Sequence, residues 1–135
     1  IEKHKLIAEG AGVLSLAALT RLPFKGKKVV SILSGGNIDI STISALISKS
    51  LIARGRIFCF AVQLPDKPGQ LLKIAQLLAE NDANVIELEH NQFKAIDRYS
   101  NKVVLEVTVE TNGHSHIDKI VSVLEDNNFT VTRIY

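Results

Sequence analysis

The sequence predicts an α+β fold, and the clearest sign of it is a change of pattern near Gly55. Before that residue, two segments of helical spacing flank a single short apolar run. After it, strand-like and helix-like segments follow one another in the order βαββαβ. The 135 residues fit one ordinary domain, or one small domain and a piece of another, and the apolar share of 46% is enough for a real core.

The strand-like segments after Gly55 are residues 57–64, 84–93, 103–110 and 129–135. In the second, Ile86 and Leu88 alternate with glutamates, which predicts that one face meets water. Each helix between them has apolar residues at positions i, i+3, i+4 and i+7. They are Leu71, Ile74, Ala75 and Leu78 in the first helix, and Ile117, Ile120, Val121 and Leu124 in the second. This order is the ferredoxin-like unit, in which two helices cover one face of an antiparallel sheet.

The segment before Gly55 predicts a helix, a strand and a second helix. Residues 6–22 have helical spacing, and Pro23 ends that helix. The apolar run 29–33 predicts a strand buried on both faces, as in parallel sheets. A second helix follows and is capped by Asp39 or Ser41. One strand and two helices cannot bury their own faces, so this helix-strand-helix segment is expected to be the remnant of a larger α/β domain.

Composition and charge argue against several classes of partner. The net charge is only +2, and Lys25, Lys27 and Lys28 are interpreted as a solvated corner, so neither nucleic acid nor a membrane is expected. The strand at 103–110 has no aromatic residue on which RNA bases could stack. The start has no Met and no long apolar segment, and is interpreted as a cut end rather than a signal peptide. Cys59 is the only cysteine, which indicates a reducing, cytoplasmic compartment.

Two glycine-containing turns come directly before helices and are candidate binding sites. One is SGGN at 34–37, and the other is PDKPG at 65–69. Backbone N–H groups at a helix N-terminus have no partners within the helix and can hold a small polar group. Each turn also has a simpler interpretation, in which glycine and proline serve only to make a tight connection.

Asn84 is a second polar group of interest near the PDKPG turn, because it begins the next strand 15 residues after Gly69. A helix of ~12 residues rises ~18 Å, which puts Asn84 at the far end of that helix from Asp66. The two residues could meet only if a second copy packs antiparallel against the first. This geometry predicts a small-ligand pocket across a dimer interface, with each copy supplying one half.

Histidines raise the question of a metal. His114 and His116 form an H-x-H pair, and His90 lies elsewhere. A good site needs three or four ligands, and the sequence does not visibly complete the set. Polar residues near a helix start are therefore the preferred interpretation, and no metal is expected. No arrangement of Ser, His and Asp or of Cys and His suggests catalysis, and Cys59 is interpreted as structural.

Residues 56–135 resemble an ACT domain, a module that senses small molecules and is attached to many enzymes of amino-acid metabolism. The resemblance is carried by the βαββαβ order, by D-x-P-G before the first helix and by A-N-V after it. It implies that an amino-acid effector such as isoleucine, valine or threonine binds between two copies. The implied effector-binding residues are Asp66, Lys67, Pro68, Gly69, Asn84, Val85 and Ile86.

Many amino-acid binders have Asn at the position of Asp66, whose carboxylate could take an effector's ammonium group. A ligand-free dimerisation module, or a stand-alone amino-acid sensor, is the alternative.

Residues 5–55 resemble the C-terminal end of a fold-type II pyridoxal-phosphate enzyme of the threonine dehydratase, or threonine ammonia-lyase, group. The matching pieces are AEGAGVLSLAAL and VVSILSGGNID. The resemblance implies that residues 1–55 are a remnant of the catalytic domain and residues 56–135 the regulatory domain. The implied cofactor contacts are Ser34 at the pyridine nitrogen, Gly35, Gly36 and Asn37 below the ring, and Glu9 in support. The family's Schiff-base lysine and phosphate loop lie upstream, so this chain is expected to bind no cofactor and to be inactive alone.

Overall fold

The structure, a computed structural model, describes residues 4–91 and 102–135. The chain divides into two compact units, Ile1–Ile47 and Ser48–Tyr135. Its helices are α1 (Leu14–Leu19), α2 (Ile40–Ala53), α3 (Gln70–Glu80) and α4 (His114–Asp126), and its strands are β1 (Ile57–Pro65), β2 (Asn84–Asn91), β3 (Lys102–Glu110) and β4 (Thr130–Arg133). A 3-10 turn, Ala11–Val13, comes directly before α1.

The second unit confirms the predicted βαββαβ order. Its four strands form one sheet in the order β2-β3-β1-β4, and each neighbouring pair is antiparallel. β1 and β3 lie in the middle, and their pairing runs from Ile57 opposite Glu110 to Pro65 opposite Lys102. Beyond β4, backbone hydrogen bonds between Cys59 and the last two residues continue the pairing to the end of the chain.

The core lies between one face of this sheet and the two helices α3 and α4. Alternate residues of β1 and β3 point into it because side chains alternate across a strand. These strand residues are Phe58, Phe60, Val62, Leu64, Val103, Leu105, Val107 and Val109. The helices contribute Ile74, Leu78, Ile117, Ile120 and Leu124. Burying a large apolar side chain completely stabilises the fold by about 1.5–3 kcal/mol, so these thirteen side chains dominate its stability.

β2 is an edge strand and departs from the predicted alternation. Val85 pairs with Val109, but the next pair is Glu87 with Thr108, so Ile86 is the extra residue of a β-bulge. Ile86 is therefore 50% exposed, and Leu88, opposite Val107, continues the side that faces the helices. The sequence could not predict the bulge, because it depends on the register with β3. The predicted end of this strand, residues 92–93, lies outside the described residues.

The first unit differs more from the expectation. The predicted helix over 6–22 is reduced to α1 and the turn before it. The predicted strand at 29–33 is not formed, because a parallel strand needs neighbouring strands to accept its hydrogen bonds and residues 29–33 have no strand partner in the described part of the chain. Val30 and Ile32 are 91% and 76% exposed as a result.

Helix α2 is where the sequence predicts it, and Asp39 is its cap. The backbone N–H of Thr42 donates to Asp39 Oδ1 over 2.8 Å. Side-chain hydrogen bonds from Ser41 and Thr42, and the backbone bond from Thr42, hold the pKa of the Asp39 carboxyl well below its usual range. The charged form is the better acceptor, so this cap holds at neutral pH and is lost only on strong acidification.

Leu105→Ala tests the assignment of the core. Leu105 is completely buried between the sheet and the helices, so its truncation leaves a cavity. We expect the free energy of unfolding to fall by about 2–5 kcal/mol in chemical denaturation. The matched control is Leu72→Ala on the outer side of α3, where the side chain is 69% exposed and the expected change is within about 0.5 kcal/mol. Equal losses from the two variants would contradict this core.

Candidate functional site

A cavity of about 270 Å³ lies beside the turn that joins β1 to α3. It is lined by Leu64, Pro65, Asp66, Lys67, Pro68, Gly69, Gln70, Leu71, His90, Val103 and Leu105. Leu64, Val103 and Leu105 are buried core residues and give the cavity an apolar floor. Asp66, Lys67, Gln70 and His90 add polar or charged groups. An apolar surface with a few polar groups around it is the usual character of a small-ligand site.

The turn itself is built by proline and glycine. The N–H of Lys67 donates to the Pro65 carbonyl over 2.8 Å, and the N–H of Lys73 donates to the Gly69 carbonyl over 3.2 Å. Gly69 caps α3 with φ +89°, in the left-handed region that glycine adopts without strain. The chain therefore reverses direction within a few residues, and Asp66 and Lys67 are held at the end of the sheet beside the cavity.

The structure does not bring all the predicted effector-binding residues to one cavity. Asp66, Lys67, Pro68 and Gly69 line the cavity just described, which is here named the turn cavity. Asn84 lines a different cavity of about 210 Å³, and its side-chain amide donates to Glu110 Oε2 over 2.9 Å. Neither cavity includes Val85 or Ile86. The second cavity is lined by Leu51, Arg56, Ile57, Asp82, Asn84, Glu110, Thr111 and Asn112.

His90 and Gln70 are polar residues of the turn cavity that sequence reasoning missed, and His90 is the one distant in sequence. It lies 23 positions after Lys67 and pairs with Leu105 near the end of β2. A signal for this proximity exists in the chain. From Asn84 to His90 a strand advances ~20 Å, close to the ~18 Å that α3 rises, so β2 returns to the level where α3 began.

His114 and His116 have structural partners. The Nδ1 of His116 accepts the N–H of Asn112 over 3.0 Å, so its Nε2–H donates to the Asn81 carbonyl, 2.6 Å away. The Nε2 of His114 lies 3.1 Å from the Ala53 carbonyl oxygen. His114 therefore connects the start of α4 to the end of α2, and His116 connects it to the end of α3. Within residues 4–91 and 102–135, no three His, Cys, Asp or Glu side chains are grouped to hold a metal.

His116→Ala tests this structural role. The substitution removes two hydrogen bonds and leaves the Asn81 carbonyl and the Asn112 N–H without their partner. We expect the free energy of unfolding to fall by about 1–3 kcal/mol, measured by chemical denaturation. His90→Ala is the control, since His90 has no hydrogen-bond partner in the described part of the chain and its loss should leave stability within about 0.5 kcal/mol. An unchanged stability for His116→Ala would refute the role of this histidine.

In the first unit, the predicted cofactor residues come together around the SGGN turn. The N–H of Glu9 donates to the Gly35 carbonyl over 3.2 Å, and the N–H of Ser34 donates to the Gly12 carbonyl over 3.3 Å. A Cβ on Gly12 would collide with the Ser34 carbonyl, and one on Gly35 would collide with the Glu9 carboxylate. The glycines are thus needed for this close approach of two segments. Gly36 and Asn37 follow directly at the surface of the turn.

The residues of this turn fit one wall of a cofactor site. The Ser34 hydroxyl is exposed and has no hydrogen-bond partner in the described part of the chain, so it can bond to a ring nitrogen. Glu9 is held at the turn by the hydrogen bond that its backbone N–H donates to the Gly35 carbonyl. In residues 1–55, each lysine lies either within the first five residues or after Pro23, and none belongs to the SGGN turn.

No protein-family model matches the chain. The L-threonine ammonia-lyase of Geobacter sulfurreducens is 38% identical over 134 residues, which is 97% of this chain and 33% of that protein. The L-threonine ammonia-lyase of Thermotoga maritima is 38% identical over 125 residues, or 92% of this chain and 31% of that protein. The chain therefore spans about a third of the length of these curated relatives.

Among solved structures, prephenate dehydratase from Streptococcus mutans matches with a TM-score of 0.48 and 18% identity, over 58% of this chain and 40% of that one. Within the described residues, no helix is long and apolar enough to span a membrane.

The class of protein follows from the second unit: a four-stranded antiparallel sheet in the order β2-β3-β1-β4, covered on one face by two helices, is the ferredoxin-like fold. The D-x-P-G turn that opens α3 is the sequence feature through which this unit resembles an ACT domain. The similarity to curated relatives extends over nearly the whole chain and includes both units. The chain belongs to the threonine ammonia-lyase family, also named threonine dehydratase, and corresponds to its C-terminal part.

Proposed function

We propose that this chain is the amino-acid-sensing, regulatory part of a threonine ammonia-lyase, which converts L-threonine to 2-oxobutanoate and ammonia. The observation that carries the proposal is the turn cavity, which combines an apolar floor with groups of both charges. Its volume of about 270 Å³ lies just below the range of ~300–1,000 Å³ that is usual for drug-sized ligands. A single amino acid suits a cavity of this size.

The lining of the turn cavity suits an aliphatic amino acid. The carboxylate of Asp66 can accept hydrogen bonds from the effector's ammonium group, and the ammonium of Lys67 can pair with its carboxylate. Pro65, Pro68 and Leu71, which are exposed in the lining above the buried floor, offer apolar surface to the effector's side chain. Isoleucine, valine and threonine are therefore the effectors we propose.

A second copy of the chain completes the site in this proposal. β2 is an edge strand whose outer backbone groups have no strand partner in the described part of the chain, so it can pair with another β2. Antiparallel packing of two copies across this edge would bring Asn84, Val85 and Ile86 of one copy to the turn cavity of the other. An effector that binds the paired form with different affinity in two states of the enzyme would then shift its activity.

The first unit contributes to the cofactor site of the intact enzyme in this proposal. Pyridoxal phosphate, when bound, supplies an electron sink for the carbanion formed on the substrate. Ser34 would bond to its ring nitrogen, with Gly35, Gly36 and Asn37 below the ring and Glu9 in support. The reactive lysine and the phosphate-binding loop come from the rest of the enzyme, so residues 1–55 act as one wall of the catalytic domain and residues 56–135 as the regulatory domain.

Calorimetric titration of the purified chain with L-isoleucine, L-valine and L-threonine tests the sensor. We expect heat of binding with at least one of them. Lys67→Gln should weaken that binding about tenfold, because it removes one charge-assisted hydrogen bond. Lys119→Gln is the control, since this exposed lysine of α4 lies outside the turn cavity. The absence of heat with all three amino acids would refute the sensor and favour a ligand-free dimerisation module, a function that the exposed edge of β2 also supports.

Analytical ultracentrifugation tests the paired state. We expect a dimer, and we expect Ile86→Lys to shift it to a monomer, because a charge on an edge strand opposes strand pairing. Thr130→Lys is the matched control, because it puts the same charge on β4, the opposite edge of the sheet, and should leave the dimer intact. A monomer at high protein concentration would rule out the two-copy site.

A further inference from the structure

We propose that His90 recognises the carboxylate of the effector within the same copy of the chain that provides the Asp66 turn. This inference rests on the proposed function, because it concerns the same turn cavity. It adds that each copy can bind both charged groups of an α-amino acid, with the partner copy adding only further contacts. The ligand class it names is a zwitterionic α-amino acid with an aliphatic side chain.

The position of His90 in the sheet supports this role. Its partner in the register is Leu105, which is completely buried on the side of the sheet that carries α3 and α4. Leu88, two residues earlier, lies on the same side opposite Val107. The pattern of this side of β2 is thus apolar until His90, where the strand reaches the turn cavity and a polar ring replaces an aliphatic side chain.

Hydrogen bonding distinguishes His90 from the histidines of α4. The rings of His114 and His116 both contact backbone carbonyl oxygens and join elements of the fold. The ring of His90 has no hydrogen-bond or ion-pair partner within residues 4–91 and 102–135. Its N–H is therefore available to a ligand, and the fold gains no internal bond from having histidine at this position.

A carboxylate in the turn cavity needs a hydrogen-bond donor in addition to Lys67, because Asp66 in the same cavity is negatively charged. The carboxylate of Asp66 suits an ammonium group but repels a carboxylate. Lys67, next to Asp66 on the turn, is one group of opposite sign. The imidazole N–H of His90 is a donor from a different element, the end of β2, and needs no net charge to donate. Lys67 and His90 together can hold a carboxylate while Asp66 holds the ammonium, with the effector's side chain on the exposed Leu71.

The experiment compares an amino acid with its amide. The 135-residue chain and His90→Ala, which removes the ring and its donor, are titrated by calorimetry with L-isoleucine and L-isoleucinamide, and with L-valine and L-valinamide. The amide keeps the ammonium and the side chain but lacks the negative charge. We expect His90→Ala to weaken binding of the acid about tenfold and to change binding of the amide little, so that selectivity for the acid falls by about the same factor. Lys67→Gln should lower the same selectivity, which gives a second variant.

His4→Ala is the control, because His4 does not line the turn cavity, and it should leave both affinities unchanged. Thermal unfolding of His90→Ala should match the parent chain, which separates a loss of contact from a loss of fold. Equal weakening of acid and amide would mean a structural role and would overturn the proposal. Unchanged binding of the acid would overturn it too, while leaving the sensor function intact. Failure of the parent chain to bind any amino acid would refute both at once.

Discussion

The pairing of β1 with β3 is the interaction on which the rest of the second unit depends. It joins nine residues of each strand in one unbroken antiparallel register, from Ile57 opposite Glu110 to Pro65 opposite Lys102. The alternate residues of both strands thereby point to the same side and form the surface on which α3 and α4 pack. A shift of one residue would turn every one of these side chains to the other face, so the register and the core determine each other.

The same pairing positions both ends of the sheet. At one end, the Thr111 hydroxyl donates to the Gly55 carbonyl and its N–H donates to the Arg56 carbonyl over 3.0 Å, which fixes the start of β1 beside the start of α4. At the other end, Pro65 closes β1 and the chain turns into α3. The first end also has a cavity, the one of about 210 Å³ that Asn84 and Asn112 line, and the second end has the turn cavity. The turn cavity is the one bordered by the turn before α3 and by core residues, and the proposed ligand site rests on that combination.

The limits of prediction from sequence are clearest in β2 and in the first unit. The alternation of Ile86 and Leu88 indicated a regular strand, but the bulge at Ile86 depends on the register with β3, which no local pattern contains. The apolar run at 29–33 indicated a buried strand, and this interpretation failed because a strand is defined by its neighbours. Helix α2 agreed with its prediction because Asp39 and the helical spacing after it are local signals.

The sequence by itself determined the order of elements after Gly55, most of the residues of the core and the location of both glycine turns, because periodicity, proline and glycine act over a few residues. It also indicated that Asp66 and Asn84 lie apart, since the rise of a helix is fixed by its length. Only the tertiary structure decided which distant residues share a cavity. His90 comes to the Asp66 turn because β2 returns along the sheet, and Asn84 pairs with Glu110 because of the β2–β3 register. Contacts of this kind depend on how elements pack, and packing is a property of the folded chain as a whole.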